Sequence, residues 1–175
     1  SFGVLWAFVF HDYQKARILT FLNPLTDIHG AGYNAYQSTI AVGSGGLFGA
    51  GLGHSRQKML YLPEVAGDSI FAVMAEELGF ILILGFLFFL AVLIFRGIEI
   101  ARRSPDPFGR LTVIGIISWL FVQTVVNIGS MVGLLPLTGV PLPFISYGGT
   151  ALAVSLAAVG VIANISSQAE SKVKR

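Results

Sequence analysis

The sequence predicts an all-α protein: a polytopic membrane helix bundle with three full transmembrane helices preceded by a long extracytoplasmic loop. Three observations predict it. Apolar residues make up 54% of the chain and charged residues only 11%, against about a quarter charged in a soluble domain. Three apolar stretches outrun a globular core helix: as helices, Ile70–Phe95 would extend roughly 39 Å, Leu111–Gly133 roughly 35 Å and Tyr147–Ser166 roughly 30 Å, against a hydrocarbon core of about 30 Å. The basic residues also gather in two segments that three alternating helices would place on the same side of a bilayer.

The elements follow in chain order. Residues 1–10, SFGVLWAFVF, are apolar over about half the length a span needs and lack the basic start and small-residue cleavage site of a signal peptide. They read as the end of a truncated transmembrane helix. Residues 11–68 form the extracytoplasmic loop. Its first part, HDYQKARILTFL, suits a short helix lying in the headgroup layer or one packed on the protein's own surface, ended by Asn23-Pro24. Residues 69–95 are the first full span, and 96–110 a cytoplasmic loop carrying Arg96, Arg102, Arg103 and Arg110 with the breaker Ser104-Pro105-Asp106-Pro107. Residues 111–133 span again, 134–146 make a proline-rich outer turn, and 147–166 span a third time. The tail, 167–175, holds Lys172, Lys174 and Arg175, and the positive-inside rule puts it in the cytoplasm. These loops account for the net charge of +2, and no basic-aromatic stripe suggests a nucleic-acid partner. With no cysteine, disulfides and thiolate metal sites are excluded.

Four stretches carry candidate chemistry. In IAVGSGGLFGAGLG the glycines do not end in Gly-Lys-Ser/Thr and do not fit G-x-G-x-x-G, so neither phosphate-loop pattern is met. The favoured reading is close backbone packing at a membrane boundary, or a loop that re-enters it buried in protein. Next, SRQK places Arg56 and Lys58 outside, against the charge trend, where they would meet lipid headgroups or a pyrophosphate ligand.

The acids Glu64, Asp68, Glu76 and Glu77 lead into the first span. Asp68 sits where the helix enters the bilayer. A first-turn cap explains it, but its mouth position beside two cations favours a functional role. Glu76 and Glu77 lie two turns deeper, where each carboxylate costs about 2.5–3.5 kcal/mol to insert and therefore faces a protein interior or a watery cavity. On a regular helix Asp68 and Glu76 would border one cavity, roughly 12 Å apart in height, while Glu77 would face another helix. A structural role is favoured for the pair. Asn127, inside the second span, also needs a partner. At the start of the third span, Ser146, Gly148 and Gly149 would cradle a phosphate at a helix N-terminus. Alternatively, Gly149 begins a small-residue packing row with Ala153 and Ala157.

The run Asn127, Gly133-Leu134, Pro136, Gly139, Phe144-Ile145-Ser146-Tyr147-Gly148-Gly149-Thr150-Ala151 resembles the C-terminal signature of the FtsW/RodA/SpoVE proteins, the SEDS family. ARILTFLNP, GYNAYQSTIAVGSGGLFGAGLG, SRQKMLYLPE and DSIFAVMAEELGF follow the same family in its order, so the likeness covers essentially the whole chain. The resemblance implies the C-terminal portion of a larger helix bundle in the bacterial cytoplasmic membrane. SRQKMLYLPE leans toward the division branch, FtsW, whereas NPLTDIHGAGYN also suits the elongation branch, RodA.

By resemblance, the activity is peptidoglycan glycosyl transfer: lipid II is polymerised and undecaprenyl pyrophosphate is released. The implied partners are a class B penicillin-binding protein and other divisome or elongasome membrane proteins. The family's essential aspartate matches Asp68. The family reads His-Thr-Asp-Phe there and this chain Ala66-Gly67-Asp68-Ser69, so contacts of that His or Phe do not carry over. The expected roles are Asp68 as catalytic base, with Arg56, Lys58, Glu64, Ser146, Gly148 and Gly149 on the substrate. Glu76, Glu77 and Asn127 are expected as structural polar groups. Positive charge on the leaving pyrophosphate would come from Arg56 and Lys58 or from a divalent cation, magnesium or manganese. No other cofactor is expected. The alternatives, in order, are a lipid II flippase and a scaffold that activates the transpeptidase.

Overall fold

The computed structural model describes Phe21, residues 33–55, 69–104 and 106–173. Among the described residues four helices follow in order: α1, Tyr33–Ser44; α2, Ile70–Arg103; α3, Pro107–Met131; and α4, Gly149–Val173. The described chain is all-α. Three of these helices are long and apolar enough to cross a membrane: α2, α3 and α4 as far as Ala169. In their most apolar windows only 17%, 28% and 11% is buried by the described residues, so most of that surface must meet lipid or further protein. The truncated helix of residues 1–10 lies outside the described residues, as does the surface helix of 11–22 apart from Phe21.

The first span is not one regular helix. Gly79 sits at φ 76°, ψ 176°, and divides α2 into a short piece, 70–78, called the outer piece after the expected topology, and a long inner piece. The break frees backbone groups that lipid cannot satisfy. The glycine-rich hairpin after α1 satisfies them: Ala50 N–H donates to the Glu76 carbonyl at 2.8 Å and Gly51 N–H to the Glu77 carbonyl at 3.1 Å. In return, Phe80 N–H donates to Gly46 O at 2.9 Å and Ile81 N–H to Leu47 O at 3.2 Å. The approach is too close for side chains. A Cβ on Gly45 would fall 2.0 Å from Ala75 O, and one on Gly49 2.3 Å from Glu77 O. The hairpin turns Leu47, Phe48 and Leu52 outward, 61%, 82% and 75% exposed, which suits a hydrocarbon boundary better than water. Close backbone packing is what is found.

At its other end α2 continues to Arg103, past the expected limit at Phe95. The change from apolar to charged residues at Arg96 marks the edge of the hydrocarbon, not of the helix. Glu99 bridges Arg96 and Arg103 at i+3 and i+4 spacing along the exposed turns. Ser104, extended before a proline, ends the helix. Asp106 then caps α3, accepting from Gly109 N–H at 2.9 Å, with Pro107 at the first helical position.

The far end of α3 closes on Gly133, at φ 75°. Leu134 N–H reaches back to Gly129 O at 2.8 Å and Gly133 N–H to Ser130 O at 3.4 Å, a Schellman ending. Two apolar clusters hold the helices together. One gathers Ala41, Phe71, Ala72, Ala75, Ile83, Met131 and Leu142 at the hairpin end, and the other Ala101, Val113, Ile117 and Ile162 at the arginine end.

Candidate active site at the outer end of the bundle

The hairpin end brings together α1, the glycine hairpin, the outer piece of α2, the end of α3 and the turn before α4. Arg56, Lys58, Glu64 and Asp68 lie outside the described residues. The residues that flank this segment are described. Ser55 is 1% exposed and Ser69 is fully buried, at the N-cap of α2. Ser69 offers α2 its carbonyl, which accepts from Ala72 and Val73 N–H, and its side chain makes no capping bond.

Glu76 is buried among the described residues. It is 4% exposed, and its Oε2 accepts a 2.5 Å hydrogen bond from the Ser55 hydroxyl across the hairpin. A carboxylate within a span needs such a donor. Glu77, one residue on, is half-buried, and its carbonyl serves the hairpin. Removing the Ser55 bond should cost about 1–3 kcal/mol. Glu76→Ala is therefore expected to lower the melting temperature of the purified protein, whereas Glu76→Gln, which keeps an acceptor oxygen, should melt near wild type. Equal melting of both variants would refute the pairing.

Asn127 is 1% exposed and finds its partner in the outer turn, donating from Nδ2 to Val140 O at 2.7 Å. One helical turn earlier on α3, Gln123 donates to Pro141 O at 2.9 Å. Together the two amides clamp successive carbonyls of the turn to the span. Ser130 adds a bond from its hydroxyl to the Asn127 carbonyl at 2.7 Å. Asn127→Ala should therefore destabilise the protein by about 1–3 kcal/mol, read as a lower melting temperature.

Ser146 is buried and its hydroxyl oxygen accepts from Leu142 N–H at 2.7 Å, inside a turn in which Phe144 takes φ 66°. The oxygen thus braces its own turn. Gly148 is half-buried and its carbonyl accepts from Leu152 N–H, while Gly149 is exposed with open space around it. The small-residue row Gly149, Ala153 and Ala157 also stands exposed. Among the described residues, no group of three or more His, Asp or Glu side chains converges to hold a metal ion.

Sequence reasoning missed Ser55, Gln123 and Gly79. Gln123 had a signal in its i, i+4 spacing to Asn127 on one helix face. Ser55 and Gly79 had none, because their roles depend on a contact between the hairpin and α2.

The FtsW/RodA/SpoVE cell cycle protein family model matches residues 2–171. The chain is 51% identical over 154 residues to the stage V sporulation protein E of Bacillus subtilis, covering 88% of this chain and 42% of that protein. It is 50% identical over 163 residues to the peptidoglycan glycosyltransferase MrdB of Escherichia coli K12, covering 93% and 44%. A Geobacter metallireducens FtsW, named a probable peptidoglycan glycosyltransferase, is 45% identical over 157 residues, covering 90% and 42%. These identities do not single out the FtsW branch. A chain in a solved peptidoglycan synthase complex, described as coordinating polymerization and crosslinking, superposes with a TM-score of 0.75 at 28% identity, over 95% of this chain and 45% of that one. The chain thus spans less than half the length of these relatives. On the sequence match and the shared fold together, it belongs to the FtsW/RodA/SpoVE family.

Proposed function

We propose that this chain is part of a peptidoglycan glycosyltransferase that polymerises lipid II, with Asp68 as its base. The observation that carries the reading is the likeness to relatives named for that activity, at up to 50% identity across nearly the whole chain. The geometry supports it in one respect. The segment bearing Arg56, Lys58, Glu64 and Asp68 begins and ends at buried residues, Ser55 and Ser69, at the outer end of α2.

In this reading the acceptor sugar hydroxyl attacks the anomeric carbon of the donor. Asp68 takes the hydroxyl proton as the new glycosidic bond forms and the bond to the lipid pyrophosphate breaks. The departing pyrophosphate leaves as an anion and needs positive charge more than a proton, so the second carboxyl of a glycosidase is not required. Arg56 and Lys58 supply that charge, with Glu64 on the substrate. The open start of α4 at Gly148 and Gly149 offers backbone N–H groups to the same anion. Magnesium or manganese is an alternative source of that charge; among the described residues no cluster of three His, Asp or Glu side chains would hold it.

The arginine-rich end and the tail face the cytoplasm of the bacterial plasma membrane in this proposal, by the positive-inside rule. The partner is a class B penicillin-binding protein within the division or elongation machinery. This is supported by the pairing of polymerization with crosslinking in the structurally similar complex. The test is lipid II polymerisation by the full-length protein with and without its transpeptidase. Translocation of lipid II without polymerisation would favour the flippase reading instead.

A further inference from the structure

At the opposite end of the bundle from the hairpin, α2, α3 and α4 diverge around a cleft of about 380 Å³. This is within the range of roughly 300–1,000 Å³ that small-molecule sites occupy. Its walls are apolar: Leu93 and Ile100 from α2, Ile117 from α3, and Val159 and Ile162 from α4. Among the described residues, only two that line it have polar side chains, Arg96 and Ser166, and Arg96 is the sole charged one. Such a lining matches a molecule with a hydrocarbon body and one anionic end.

The charge around the mouth points the same way. Arg96 is 74% exposed, so its guanidinium is reachable. It shares Glu99 with Arg103, and one carboxylate cannot neutralise two guanidiniums. Across described residues 96–104 and 106–110, four arginines face Glu99 and Asp106, and Asp106 is occupied in capping α3. Among these residues the excess is cationic, just past the apolar run that ends at Phe95. Basic pockets between membrane helices recognise anionic headgroups in this way.

We propose that this cleft binds an anionic phospholipid of the leaflet on the arginine side. One acyl chain lies between α2 and α4, and the headgroup phosphate rests on Arg96. The site shares no residue with the proposed catalytic segment, so it stands or falls separately from the enzymatic reading.

The experiment uses the full-length protein purified in detergent, with phosphatidylglycerol or phosphatidylcholine added and thermal unfolding and lipid retention measured. Phosphatidylglycerol should raise the melting temperature more than phosphatidylcholine. Arg96→Gln should weaken phosphatidylglycerol retention by about fivefold, the worth of one surface cation. Ala163→Phe, which fills the cleft, should abolish the preference, and Arg110→Gln, off the cleft, should retain it. A photo-crosslinking residue at position 163 should capture lipid. Equal stabilisation by the two lipids, a preference undiminished by Arg96→Gln, or a crosslink to another helix of the protein would each overturn the proposal. Should Ala163→Phe fail to fold, the Arg96 variant and the crosslink decide.

Discussion

Asp68→Asn in the full-length protein is expected to abolish lipid II polymerisation while membrane accumulation stays normal. Asparagine matches the size of aspartate but cannot take a proton from the attacking hydroxyl. A positioned general base contributes about 10²–10⁴-fold, so the loss should be at least about 100-fold. The measurement is glycan product from purified lipid II, with the transpeptidase present. Normal glycan synthesis by the variant would defeat the assignment and favour a scaffold role. Lost polymerisation with Glu64→Gln but not with Asp68→Asn would move the base to Glu64.

Gly79→Ala should remove a large share of the protein's stability. The added Cβ would lie 2.2 Å from Gly49 N and 2.5 Å from Phe48 C. Both are backbone atoms, so no side chain can rotate away. Overpacking costs about 1–3 kcal/mol, and the conformation at φ 76°, ψ 176°, open essentially to glycine alone, costs an L-residue roughly 1–3 kcal/mol more. The whole stability of a domain is only about 5–15 kcal/mol. Gly85→Ala is the control, since nothing lies within 4 Å of its Cβ position on the inner piece of α2. Thermal unfolding of both variants checks the expectation. If Gly79→Ala melts with Gly85→Ala, the hairpin does not fill the break.

How far the fold was legible follows from the range of each interaction. The three spans were readable because lipid imposes a length on any apolar run, and that constraint is local. The end of α2 was less so. The arginines announce water, but their pairing through Glu99 continues the helix beyond the point where hydrocarbon stops. The break at Gly79 was invisible. A glycine amid Leu78 and Phe80 looks like any other in an apolar helix, and its positive φ has meaning only because a hairpin from 30 residues earlier arrives there.

The same division runs through the site. That Glu76 and Asn127 needed partners could be argued from the cost of burying them. Which partners they found, Ser55 and Val140 O, depended on how the hairpin and the outer turn fold back. The catalytic assignment came from motif resemblance and owes nothing to periodicity. The two serines that flank the segment gave no sign in sequence of being buried.

The hairpin that plugs α2 is synthesised before the helix it completes. Its donors, Ala50 and Gly51, leave the ribosome ahead of their acceptors on Glu76 and Glu77. Until those acceptors arrive, the glycine stretch cannot settle at membrane depth with its amides bare. Integration of this region into the bilayer is therefore concerted, and the nascent loop must wait in water or in the insertion machinery for the following span.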